Sequence, residues 1–415
     1  MLKLMDSSDN GSDGIASLYD ELTKQTGLSP EEFSSRLQII EGDLGTCLNF
    51  HGLQSQRTPS KFPDESLSHL LMIPGAGHTL WNIGQAILLH HWGNPDNKND
   101  QGAWRTVVEL GGKSERPTSK KDFTSMIRWI EQIHEATITS CILLQLLLRL
   151  CDFATIVEAN RAMSDGDVGR LLLMWKSWSV KMQGIKGLSH YSRYLPRLIR
   201  LLTKVLPKSL SHVILHTLLI SPTGRHGHFV AKDFHLEIKN YWLKYFYNHA
   251  GPGTDIERLK ETFSLTVGLL SHLVNTMKGR AGQNNVRQSR KNRSTPTSMI
   301  RFLNMARSEN ITKSKPNSET VGKPLGDIHR LGIQKLKVDF GKQQLERFHW
   351  PVASYYSEEQ GDSEQINETD HRNGFGSIDK EFVDWFSEEY NSLILSKHRL
   401  LYAALRALAS LSAFT

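Results

Sequence analysis

Residues 37–93 read LQIIEGDLGTCLNFHGLQSQRTPSKFPDESLSHLLMIPGAGHTLWNIGQAILLHHWG, and the folding of this stretch decides the architecture. Leu37–Ile40 is a short apolar run with β-branched members, halted at Gly42. It predicts a strand that delivers Asp43 at its end. A short helix follows over CLNFHGLQSQR, and Leu70–Ile73 predicts a second strand, stopped by Pro74-Gly75. His78 then opens a helix over Thr79–Trp92 that places Leu80, Gly84, Ile87, Leu88 and His91 on one face. Two strands make too small a sheet to stand alone, so it needs partners from elsewhere.

Working outward, residues 1–14 form a polar tail that reads as disordered. Ile15–Thr26 predicts a helix ended by Gly27, and Pro30 opens another. Downstream, almost everything to Lys278 reads as helix: one run from a cap at Ser119 or Asp122 to Met163, then Val168–Met182, Pro196–Leu206 and Leu210–Leu219. Ser221-Pro222-Thr223-Gly224 is a turn into a helix over Phe229–Tyr247, with Phe234, Ile238, Tyr241 and Tyr245 as its buried face. Asp255–Met277 is the next helix. The expected fold class is mainly α, a helical body over 15–278 with a small β remnant at 37–43 and 70–73. A low-complexity basic linker is expected over 279–376, broken by Leu331–Val338 as a brief exception, and a C-terminal helical pair over 377–415.

Charge distribution narrows the partners. The 415 residues carry a net +7, yet Val168–Lys232 contains no Asp or Glu at all. Within it Arg193, Arg197, Arg200, Lys204 and Lys208 recur at spacings of three and four, a cationic stripe opposite Leu198, Leu202 and Val205. One-signed charge of this extent attracts a polyanion, DNA or RNA first. The interleaved aromatics Trp175, Trp178, Tyr191 and Tyr194 read as core rather than as base-stacking platforms. Gly279–Ser294 adds Arg280, Arg287, Arg290, Lys291 and Arg293, either a solvated linker or a phosphate-contacting, nuclear-targeting segment.

Other classes are set aside. Three cysteines without a Cys-x-x-Cys spacing argue against a disulfide framework and a cysteine-built zinc site. The acidic, polar start is no secretory signal, so an intracellular protein is expected. Ile138–Val157 has the length of a membrane span, but Gln145, Arg149 and Asp152 lie within it. A central charge costs roughly 3 kcal/mol on insertion, so a buried core helix is the better reading and no membrane partner is expected. Gly112-Lys113-Ser114 lacks the first glycine of a phosphate-binding loop, and Gly75-Ala76-Gly77 lacks the third of a dinucleotide fingerprint. His226, His228, Asp233, His235 and Glu237 crowd together, but helix N-terminus chemistry accounts for Asp233 as well as a metal does.

The segments EGDLGT, MIPGAGHTLWNIGQAILLHHWG and SPTGRHGHFVAKDFHLEIKNYWLK, with a helical block between the last two, resemble a fungal family known as a domain of unknown function, number 6589 of its series. The resemblance covers about residues 37–280 and implies no established activity. More weakly, the order of Asp43, His78-Thr79-Leu80-Trp81-Asn82, a helical block and Glu237 resembles the RNase H-like core of hAT-type transposases. That resemblance implies Asp43 and Glu237 as metal-binding acids, His78 beside them, and Mg²⁺ as cofactor, because two cations must clamp the attacking and leaving oxygens of a phosphodiester. The first acid of such a core belongs on an earlier strand. Upstream of Leu37 there is only tail and helix, which implies a fragment or a decayed copy. The leading expectation is therefore a mobile-element relic that binds nucleic acid without catalysis. An all-helical protein-interaction module comes second, and a Mg²⁺-dependent nuclease or strand transferase third.

Overall fold

The organising stretch folds as a β-α-β unit. The protein is described by a computed structural model over residues 3–97, 100–114, 123–140, 144–185, 188–249, 251, 255–282, 295–308 and 326–341. Helices α1 (Ser12–Thr26) and α2 (Pro30–Ser34) come first, the second opened by Ser29 and Glu32 in a reciprocal cap. Strands β1 (Gln38–Gly42) and β2 (Leu70–Pro74) then pair in parallel, Gln38 opposite Leu70 and Gly42 opposite Pro74. Parallel partners cannot be joined by a tight turn. Their crossover is α3 (Leu44–Arg57), followed by the short α4 (Pro63–Ser66).

The chain leaves β2 directly into α5 (Ala76–His90), two residues ahead of the expected start at His78. Leu80, Ile83, Ile87 and Leu88 on it are fully buried, so this helix is the axis of the core. Around it pack α7 (Phe123–Ser140) and α8 (Leu144–Asp165), after the short α6 (Ala103–Glu109). Sequence periodicity made one run of α7 and α8. They fold back on each other instead, as the hydrogen bond from Asn160 to Glu131 shows.

Next come α9 (Val168–Gly184), α10 (Ser189–Arg200, continued by a π-helical turn, Leu201–Val205) and α11 (Lys208–Thr217). Pro196 was expected to start a helix and lies inside α10. Its missing N–H would orphan the Ser192 carbonyl, and the Gln183 side chain donates to that oxygen from α9. An antiparallel pair of two-residue strands, β3 (Leu219–Ile220) and β4 (Val230–Ala231), encloses the Ser221–Gly224 turn and leads into α12 (Lys232–His249). Then follow α13 (Ile256–Arg258, with a π-helical turn to Phe263) and α14 (Ser264–Arg280). On α12 the expected buried face is only partly realised. Ile238 and Tyr241 are exposed, and Asp233 and Phe246 are the buried residues.

The stretch read as linker departs most from expectation. It contains α15 (Pro296–Ser308), whose Phe302 and Ala306 are buried beside Leu110 and Ala136, and α16 (Ile328–Gly341), laid along α9 through Ile328 and Leu336. The Leu331–Val338 exception falls within α16. Composition hid α15, although Met299, Phe302, Leu303 and Ala306 are spaced as one helical face. The C-terminal pair over 377–415 lies outside the described residues.

The charges inside the apolar run of α8 are buried, Asp152 in an ion pair and Arg149 against neutral acceptors. Asp152 accepts from Lys181 Nζ at 2.7 Å and sits 2.8 Å from His91 Nε2; Arg149 donates to Thr137 Oγ1. No described helix is long and apolar enough to cross a membrane. The Lys181 ammonium beside it holds the Asp152 carboxyl well below the usual range despite burial. Removing one member of a buried ion pair leaves the other uncompensated. Asp152→Asn should therefore cost about 3–5 kcal/mol in a urea titration, and a loss under 1 kcal/mol would show that the triad holds little of the fold.

Candidate functional site at the end of the parallel strands

Side chains at positions two apart on a strand point to one face, so Glu41 at the end of β1 and Asp43 just after it share a side. Asp43 turns away to cap α3, its Oδ1 accepting the Thr46 amide at 2.7 Å, and is exposed. Glu41 points inward. Both its carboxylate oxygens are buried, and no donor among the described residues closes a hydrogen bond of ordinary geometry on either.

Facing Glu41 is Asp233, carried back to the strand ends by the first turn of α12, some 190 residues later. Its carboxylate lies across the N-terminus of α5, accepting from Gly77 N at 3.0 Å and His78 N at 2.8 Å. These amides have no partner within their own helix, and the N-cap Gly75 has no side chain to offer. Asp233 is thus an N-cap supplied from a distant helix. The glycines allow it: a Cβ on Gly75 would stand 2.1 Å from Asp233 Oδ2, and one on Gly77 2.9 Å from Oδ1. Hence the Pro-Gly-Ala-Gly-His motif, which resembles half a nucleotide fingerprint, cradles a carboxylate.

The same Oδ2 holds His78 Nδ1 at 2.8 Å. The Nε2 of His78 has no partner among the described residues, and the half-buried ring brings it to the surface. Tyr191 of α10 closes the other side, its hydroxyl near Asn82 Nδ2 and the His78 carbonyl. The hydrogen bond between His78 and Asp233 raises the His78 pKa against the opposing effect of burial, and the charges of Asp233, Asp43 and Glu237 push the same way. Burial opposes, but the His78 ring and the two amides win, and Asp233 is held below the usual carboxylate range. Glu41 goes the other way: burial first, and the Asp233 charge second, push it up to about 8, only partly offset by Lys232 and by the amides of Ala76 and Asp233.

The expected residues divide accordingly. His78 lies in the cluster. Asp43 and Glu237, the latter exposed one turn beyond Asp233, stand near enough to act on its charge, and no hydrogen bond joins them. Glu41 and Asp233, which meet at the strand end, were not singled out as the acid pair. The Glu-Gly-Asp spacing was the available signal for Glu41. No such signal separates Asp233 from Glu237 on an amphipathic helix. Among the described residues, no three His, Cys, Asp or Glu side chains converge as a metal site requires, the His226–Glu237 group included.

Along α10 and α11, Arg193, Lys204 and Lys208 are exposed, and Arg197 and Arg200 half-buried. Arg197, partly desolvated and beside Arg193, is lowered to about 10. Arg287, Arg290, Lys291 and Arg293 lie outside the described residues. Two cations of the acid-free block are neutralised through space by α8: Arg170 by Glu158 and Asp165, and Lys181 by Asp152. Arg193, Arg200, Lys204 and Lys208 make no ion pair among the described residues.

A family model described as "Family of unknown function (DUF6589)" matches residues 1–147 and 142–290. The chain belongs to this family. No curated protein matches it, and no solved structure does. The match reaches from the N-terminal helices through α14, so it spans β1, the Pro-Gly-Ala-Gly-His cradle, the basic row and Asp233.

A raised carboxyl pKa favours the folded state below the unfolded value of 4.5. That advantage shrinks as pH climbs and is gone above the folded value of about 8. Glu41→Gln keeps the shape and removes the charge. It should melt with the wild type at pH 5 and several degrees above it at pH 8, a gain of a few kcal/mol. Parallel melting curves at both pH values would show that Glu41 is not held neutral.

Proposed function

We propose that this protein binds nucleic acid through the α10–α11 face and descends from an RNase H-like mobile-element enzyme of fungal origin. The observation that carries the binding is the set Arg193, Arg200 and Lys204 along α10 and its π-helical turn, with Lys208 at the start of α11, which make no ion pair among the described residues. Such a row, at helical spacing, tracks a phosphate backbone.

The descent is supported by the β-α-β unit with acids at its end, and by an acid returning there after a helical block. Binding without cleavage is favoured because each acid is already occupied. Asp43 caps α3, Asp233 caps α5 and Glu41 is held neutral near pH 7. A Mg²⁺ ion would have to break these roles before it gained a ligand.

About four phosphate contacts imply a slope near −3.6 for log affinity against log salt on duplex DNA, and Arg200→Gln with Lys204→Gln should flatten it by about 2. A slope near zero in the wild type, or one unchanged in the double variant, would count against this surface.

A further inference from the structure

Helix α16 is seated on α9 as a ligand sits in a groove. Its opening is capped from within, the Asp327 carboxylate accepting the amides of His329 and Arg330, so it borrows no cap from the body. Ile328, Gly332 and Leu336 stand four residues apart along it and are buried. Opposite them Val180 and Gly184, also four apart, belong to the last turn of α9. A Cβ on Gly332 would collide with the Val180 carbonyl oxygen, and one on Gly184 with the Ile328 carbonyl oxygen. Backbone therefore meets backbone at the crossing, flanked on α16 by two aliphatic side chains. Such a contact is selective. It admits a helix that reads aliphatic, glycine, aliphatic at intervals of four, and rejects a larger central residue.

Groove and occupant are separable parts of the chain. α9 lies inside the residues matched by the family model, whereas α16 lies beyond residue 290, where that match ends. Seventeen residues, 309–325, separate α16 from α15, a length of chain that spans up to about 60 Å. With fourteen residues, α16 is at the length where an isolated helix is marginal in water, so its helical form depends on the surface it rests on. Among the described elements that surface is chiefly α9. At its start His90 Nε2 lies 3.2 Å from the Gly326 carbonyl oxygen.

These contacts are the same whether groove and helix belong to one chain or to two. We infer that the α9 groove is a docking site for a helix of the α16 pattern, and that a second copy of this chain supplies that helix by reciprocal exchange when the protein is concentrated. The exchange is isologous, each copy giving its α16 to the other's groove, so it closes at a dimer. In dilute solution the chain's own α16 holds the groove, because its tether sets a millimolar effective concentration.

Complementation between two full-length variants tests this. Gly332→Leu expels α16 and leaves the groove open; Gly184→Leu fills the groove and leaves α16 intact. Neither should dimerise alone through this contact, and an equimolar mixture should give a one-to-one complex by gel filtration with light scattering. A fluorescent peptide of residues 326–341 should bind the Gly332→Leu chain at least about tenfold more tightly than wild type, whose groove is filled. The peptide carrying Gly332→Leu should bind neither. Ile328→Asp, which expels α16 by charge rather than bulk, repeats both measurements if Gly332→Leu lowers the circular dichroism by more than one helix. Equal peptide affinity for wild type and the opened variants, or none for any of them, overturns the groove. Peptide binding without a mixed dimer overturns the second copy as its occupant.

Discussion

The carboxylate of Asp233 joins two distant parts of this structure at one point. It satisfies two amides at the start of α5, the buried axis of the body, and so ties α12 to the point where β2 becomes helix. A charge at a helix N-terminus is favoured by the aligned peptide dipoles as well as by the hydrogen bonds. Because the cap comes from another element, it is also a tertiary constraint: α5 cannot shift along its axis without uncapping itself. The orientation of His78 follows from the same atom, since Oδ2 takes both the backbone amide and the ring nitrogen. Once that nitrogen is engaged, only Nε2 remains to face outward. The raised Glu41 follows too, because a second carboxylate beside a fixed anion in a buried place is driven toward its neutral form.

How much of this was legible beforehand depended on the range of the signal. The strands at 38–42 and 70–74 announced themselves by short apolar runs closed by Gly42 and Pro74-Gly75, while their parallel pairing with each other is seen only in the fold. The helical character of the body was equally local. What the sequence hid was pairing across distance. Asp233 looks like an ordinary first-turn acid of α12, and nothing near it in the chain says that its oxygens serve α5. Glu237 and Asp43, named from the sequence, stand one helical turn and one strand alternation from Asp233 and Glu41, steps that periodicity cannot resolve when both candidates are acids. The linker assignment failed for another reason. Helices α15 and α16 are held by a few side chains each, Phe302 and Ala306 or Ile328 and Leu336, set among residues whose bulk composition is that of a loop.

The same limit governs charge. An acid-free block of sequence is not an acid-free surface, because α8 brings Glu158, Asp165 and Asp152 against Arg170 and Lys181. A buried pair such as Lys181–Asp152 seldom adds net stability over a well-packed apolar core, since desolvation offsets the attraction. It does forbid other arrangements. With Asp152 tied to both His91 and Lys181, the helices α8 and α9 can meet in few registers. The charges that make the apolar run of α8 unfit for a bilayer are the ones that set its place in the core.

Subtracting the neutralised cations leaves a short basic row on α10–α11 and, at the strand ends, a cluster of acids about a single imidazole. A phosphodiester brought to such a cluster would be repelled unless something changed its sign. In a metal-dependent enzyme that would be a cation. Here the acids are disposed otherwise, one exposed and capping α3, one buried and capping α5, one neutralised by its surroundings. Each of these arrangements stabilises the fold in a way that a metal would have to undo, since a capping oxygen that turns to a cation abandons an amide. The balance between a capped helix and a ligated ion is therefore where a binding protein and a nuclease of this architecture would diverge. In this chain the carboxylates lie on the side of the cap.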